Sequence, residues 1–106
     1  MSVRTKDLKA IEKMRVAGTL LAEIFDTIES MIVVGTSTEA IDSFIEQQLL
    51  KKELVSQSKG YKGYAHVSCI SINDVIVHGV PSATTIVQDG DLIKVDVCAA
   101  WQGYCA

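Results

Sequence analysis

The sequence predicts an α+β domain in which two amphipathic helices precede a set of antiparallel strands. Apolar residues in the first third recur at spacings of three and four or their sums, from Leu8, Ile11 and Met14 through Leu21, Ile24, Phe25, Ile28 and Met31. From His66 onward the period shortens to two, and the dipeptides Asn73-Asp74 and Asp89-Gly90 punctuate the apolar runs as turn signals. A length of 106 residues allows one domain or part of one. Hydrophobic residues at 48% and charged residues at 22% are too apolar for a disordered chain. They are also rich for a small free-standing domain, so some apolar surface is expected to belong against further protein.

The first helix is expected to begin near Thr5 as N-cap, with Asp7 in the first turn, where the helix dipole favours an anion. Gly35 interrupts it. The run "TSTE", Thr36 to Glu39, has capping-box spacing for a second helix, which carries Ile41, Phe44, Ile45 and Leu49 on one face and extends to about Leu54. "SQSKGYKGYAH", Ser56 to His66, is a loop by composition; its tyrosines either cover the core edge or form the rim of a pocket. Strands are expected at "HVSCISI" and "VIVHG" on either side of Asn73-Asp74, at "DLIKVDVCAA" after Asp89-Gly90, and again from Gly103-Tyr104.

Several functional classes are excluded at this level. A net charge of −3, with no basic run longer than Lys51-Lys52, gives no electrostatic footprint for nucleic acid. "MIVV" is far too short to span a membrane, and the charged N-terminus lacks the apolar core of a signal peptide, so a cytoplasmic location is expected. Three cysteines without a CxxC pair indicate neither a disulfide framework nor a zinc ribbon.

Two polar residues sit within apolar strand runs, His78 and Asp96. Strand interiors disfavour Asp, and a buried charge needs a partner or a metal. If Asn73-Asp74 is a two-residue turn, Ile72 faces Val75, Ile70 faces Val77, and Cys69 shares a face with His78. A second turn centred on Trp101-Gln102 would put Cys98 opposite Cys105 and Asp96 opposite position 107. An Asp aimed from a strand at a covered face suits a hard cation, and a buried ion pair explains it equally well. Cys69 beside His78 also admits an activated thiol, although no third orienting group is evident. Cys69, His78, Cys98 and Cys105 have the ligand types for zinc, but only if two hairpins converge. A packed core role remains open for His78.

"GYKGYAHVSCISINDVIVHGVP" followed by "DGDLIKVDV" resembles the first half of a type I methionine aminopeptidase, and "IEKMRVAGTLLAEIFDTIE" resembles that family's first helix. The resemblance covers about Leu8 to Ala106. It implies the N-terminal half of a pita-bread fold, with residues 1–106 forming the N-terminal part of the catalytic domain and stopping before the second metal ligand. It also implies a hydrolase that removes the initiator methionine from nascent polypeptides with a small second residue, using two divalent metal ions (Co, Mn, Fe or Zn). By motif, Asp96 matches a metal ligand. His78 matches a histidine that contacts substrate and assists the transition state, and Tyr61, Tyr64 and Cys69 match the walls of the methionine pocket. Ala65 departs from the proline usual after the second tyrosine. On this reading the chain alone is inactive and its uncovered apolar faces invite self-association. The alternative from another class is a non-catalytic pita-bread module that binds peptides or proteins.

Overall fold

Asp7 starts the first helix of the computed structural model, which describes residues 2–106. Its side chain accepts a hydrogen bond from the Ala10 amide at 2.8 Å, so Asp7 rather than Thr5 is the N-cap of α1 (Leu8–Ile28). A single 3-10 turn, Glu29–Met31, follows. The buried stripe of α1 runs through Ala10, Ala17, Leu21, Ile24 and Ile28, whereas Leu8, Ile11, Met14 and Phe25 stay substantially exposed. Period alone marked the correct helix but overcounted its buried face, because the small residues Ala10 and Ala17 carry the contact in its first half.

Helix α2 (Thr38–Lys51) is capped by Ser37, whose side chain accepts from the Ala40 amide at 3.0 Å. Thr36 is instead engaged in backbone pairing, since its carbonyl accepts from Val87 N at 2.9 Å. The helix stops one turn before Leu54, where Glu53 adopts a left-handed φ of 58°. Ile41, Ile45 and Leu49 are buried as the pattern predicts, with Phe44 half-buried beside them.

Five short strands follow: β1 (Val55–Ser56), β2 (Ser68–Ile72), β3 (Ile93–Val97), β4 (Ala99–Trp101) and β5 (Tyr104–Cys105). They form two antiparallel sheets, one in the order β1-β4-β5 and one pairing β2 with β3. Helix α1 packs on β4 and β5, and α2 packs on β1 and β2. Ala17, Ala99 and Ala100 are almost fully buried and allow a close approach of helix to sheet. Leu21, Ile24, Ile28, Ile41, Ile45, Leu49, Val67, Ile70 and Val97 form one continuous core between these layers.

Two expected hairpins are corrected. "VIVHG" is not a strand: Val75, Ile76 and Val77 are exposed, and β2 pairs with β3 through Ser68↔Val97, Cys69↔Asp96, Ile70↔Val95, Ser71↔Lys94 and Ile72↔Ile93. Asn73-Asp74 does turn, with Val75 N donating to the Ile72 carbonyl at 3.1 Å and Asn73 at a φ of 54°, but the start of β3 rather than the segment after the turn pairs with β2. The Asn73 amide donates to the Leu92 carbonyl at 2.8 Å, and its side chain accepts from Leu92 N and donates to Asp91 Oδ1, both at 2.9 Å. The final hairpin turns at Gln102-Gly103, not Trp101-Gln102, so that Ala100 faces Cys105 and Trp101 faces Tyr104. Both turn residues have positive φ, 48° and 86°, as a two-residue hairpin of this hand requires.

Candidate active site

The two glycines of "GYKGY" have φ of 87° and 80°, values that side chains disfavour, and between them the chain makes a 3-10 turn, Tyr61–Gly63. The Gly60 amide donates to the Tyr64 carbonyl at 2.7 Å and closes the loop on itself. This closure presents Tyr61 at the surface and turns Tyr64 inward over β2. The Tyr64 hydroxyl donates to the Ser68 carbonyl at 2.8 Å and lies 3.6 Å from Cys69 Sγ. With its one proton committed to the carbonyl, the phenol oxygen is left to accept from the Cys69 thiol. Burial pushes the Tyr64 hydroxyl above the usual phenol range, and the Cys69 bond adds to that shift. Tyr64 is therefore a neutral donor around neutral pH.

His78 reaches the same place from the other edge of β2. Ile70 N donates to the Gly79 carbonyl at 2.8 Å, and Gly79 N donates to Ser71 Oγ at 2.9 Å. A Cβ on Gly79 would stand 2.2 Å from the Ile70 carbonyl oxygen, so only glycine permits this approach. The contact anchors the exposed His78, itself in a left-handed conformation at φ 60°, beside Cys69.

Tyr61, Tyr64, Cys69 and His78, with Ser58 and Lys62, line one hollow of about 310 Å³. Asp96 does not line it. Cys69 and Asp96 are directly opposed across β2 and β3, so their side chains point to the same face of the sheet. Asp96 is exposed rather than buried, contrary to the sequence expectation, and is available as an oxygen donor on that face. Two other hollows have similar volumes, about 290 and 320 Å³, but their walls are chiefly aliphatic. Chemistry rather than size singles out the first.

Two alternative chemistries lose their support. Cys69 is hydrogen-bonded to Tyr64 rather than to His78, which leaves the thiol without a base. Among the described residues no group of three or more His, Cys, Asp or Glu side chains could hold a metal ion, which removes a zinc site of Cys69, His78, Cys98 and Cys105. Burial, with Cys105 and Asp96 nearby, raises the Cys98 thiol further from the thiolate that zinc requires. The same absence means that Asp96 fits a hard cation as one ligand and cannot retain it alone.

Sequence reasoning missed one residue behind this wall, Asp42. It is 4% exposed on α2 and lies on the same stripe as Thr38, Ile45 and Leu49. An acidic residue on an otherwise apolar stripe was the available signal.

Comparison with known proteins matches the chain and its fold. A model of metallopeptidase family M24 matches residues 12–106. A methionine aminopeptidase of Escherichia coli (strain K12) is 38% identical over 105 residues, covering 98% of this chain and 40% of that protein. The crystal structure of a methionine aminopeptidase from Thermotoga maritima superposes with a TM-score of 0.92 at 32% identity, and one from Rickettsia prowazekii with 0.93 at 27%. Each covers 98% of this chain and 42% of its own, as expected for one half of a pita-bread fold. The chain thus spans about 40% of the length of the curated relatives it matches.

Proposed function

Since this chain belongs to metallopeptidase family M24, we propose that the complete protein of which it forms part removes the initiator methionine from nascent polypeptides with a small second residue, in the cytoplasm. The supporting observation is the convergence of Tyr61, Tyr64, Cys69 and His78 on one hollow, with Asp96 on the same sheet face as Cys69. At about 310 Å³ the hollow lies at the small end of ligand pockets, which run to roughly 1,000 Å³. That suits a single side chain better than a length of peptide.

In this reading the aromatic faces and thiol of Tyr61, Tyr64 and Cys69 hold the thioether of a terminal methionine, for which sulfur–aromatic contact is favourable. The neutral Tyr64 hydroxyl stays engaged with the Ser68 carbonyl and gives the wall a fixed shape. His78, exposed at the rim, donates a hydrogen bond to the scissile carbonyl oxygen as charge develops. Asp96 contributes one carboxylate to a pair of divalent cations, with the remaining ligands outside these 106 residues. When bound, those cations would acidify a water and polarise the carbonyl. Cobalt, manganese, iron and zinc all accept such oxygen-rich surroundings.

The test is cleavage of a Met-Ala-Ser peptide. The complete protein should turn it over with added cobalt or manganese and lose that activity to a chelator, while the 106-residue chain should show none. Failure of the complete protein with all four metals would overturn the reading in favour of a peptide-binding module. Metal-dependent turnover by the 106-residue chain would refute the requirement for outside ligands.

A further inference from the structure

Asp42, on α2, hydrogen-bonds to none of the residues that line the hollow. Both of its oxygens are committed. Oδ1 accepts from Val67 N at 3.2 Å, Ser68 N at 2.9 Å and Ser68 Oγ at 2.6 Å, and Oδ2 lies 3.1 Å from His66 Nδ1. A carboxylate that is 4% exposed needs such partners, but a scattered set would serve as well. Here all four contacts fall on three consecutive residues, 66–68.

Those residues lie between Tyr64 and Cys69, and two of them, His66 and Ser68, bear on the wall. The Ser68 carbonyl receives the Tyr64 hydroxyl. The His66 ring stands edge-on to the Tyr64 ring, with centroids 5.7 Å apart and planes at 71°. Opposite the carboxylate, His66 presents a protonated Nδ1, which fixes the ring's orientation. Cys69 follows directly on the pinned Ser68 backbone. Tyr64 and Cys69 thus owe their mutual placement at 3.6 Å to a segment that a single buried acid holds.

We infer that Asp42 is a positioning residue that sets the shape of the side-chain hollow through His66, Val67 and Ser68, and thereby its preference for an unbranched over a branched terminal side chain. The inference rests on the proposed peptidase reading for its substrate and on geometry alone for its effect on the wall. A wall held at fixed spacing excludes the branched γ-carbon of leucine, while a loosened wall admits both. The effect belongs to binding and should appear in KM and selectivity rather than in kcat.

Asp42→Asn, which keeps the side-chain shape, and Ser68→Ala, which removes only the hydroxyl bond, should be compared in the complete protein with Ile45→Val as a control that loosens the same stripe of α2 without removing any hydrogen bond of the carboxylate. For Asp42→Asn we expect KM for Met-Ala-Ser to rise about tenfold and the preference over Leu-Ala-Ser to fall by a similar factor, the scale of hydrogen bonds lost to a charged group. Ser68→Ala should shift both in the same direction by less, and Ile45→Val should shift neither. Independently of activity, iodoacetamide labelling resolved by peptide mass spectrometry should modify Cys69 faster in Asp42→Asn than in wild type or Ile45→Val. Unchanged selectivity and labelling, or equal changes in Ile45→Val, would overturn the inference. If the wild-type protein cleaves neither peptide, the functional reading fails and Cys69 labelling alone decides the positioning role.

Discussion

His78 holds a left-handed backbone conformation, φ 60°, which costs a non-glycine residue on the order of 1–2 kcal/mol. The neighbour that holds it there is Gly79, whose amide and carbonyl both engage β2. Gly79→Ala would drive a methyl group to 2.2 Å from the Ile70 carbonyl oxygen. We expect it to lower stability by about 3 kcal/mol, the upper end for overpacking, and to displace His78. Urea denaturation and the backbone chemical shifts of residues 69–71 check both effects; an unchanged midpoint would show that the two segments are not clamped. The sequence made the His-Gly pair visible as the end of an apolar run. It could not show what Gly79 touches, because the clamp joins segments that no period connects. Asp96 was legible as an anomaly and its face as a consequence of strand alternation, but its exposure depended on which strand paired beside it.

At the level of elements, both helices could be read from the sequence because a period of 3.6 is local and repeats over many residues. The strand partners could not. Val75, Ile76 and Val77 look like a strand because the run is apolar, yet β3 offers β2 five register pairs and an anchor for Asn73. The local turn forms, but tertiary pairing overrode the hairpin it suggested. Asp91 secures that anchor: the Gln88 backbone amide, and then Asn73, hold its carboxyl below the usual carboxylate range. A carboxyl depressed by folding stabilises above its unfolded pKa, and that contribution disappears as pH falls through its folded value. Wild type should therefore exceed Asp91→Asn in thermal stability at neutral pH, and the gap should close in acid as pH falls below the usual carboxylate range. A gap that stays constant across this range would show that the carboxylate charge is irrelevant to the turn.

Across the whole molecule, many apolar residues remain uncovered. Ile76 is 78% exposed, Leu92 64%, Val77 61% and Val80 60%. This is the surplus that the composition foretold, since a chain this apolar cannot enclose all its hydrophobic side chains. We expect the 106-residue chain to self-associate at roughly 10–100 μM, where exposed apolar surface drives aggregation. Sedimentation velocity over that range checks this, and a single monomeric boundary throughout would contradict it. Class and helix order were thus accessible from the sequence, whereas the sheet arrangement and Asp42 were not. The first set depends on neighbours in the chain and the second on neighbours in space.

Residues 93–101 run through β3 and β4 with only Cys98 between them, so one extended stretch serves two sheets. Its length is therefore fixed from both ends. A single inserted residue would leave each core recognisable and yet rotate Asp96 to the opposite side of its sheet. In this stretch evolution can exchange side chains without changing their number.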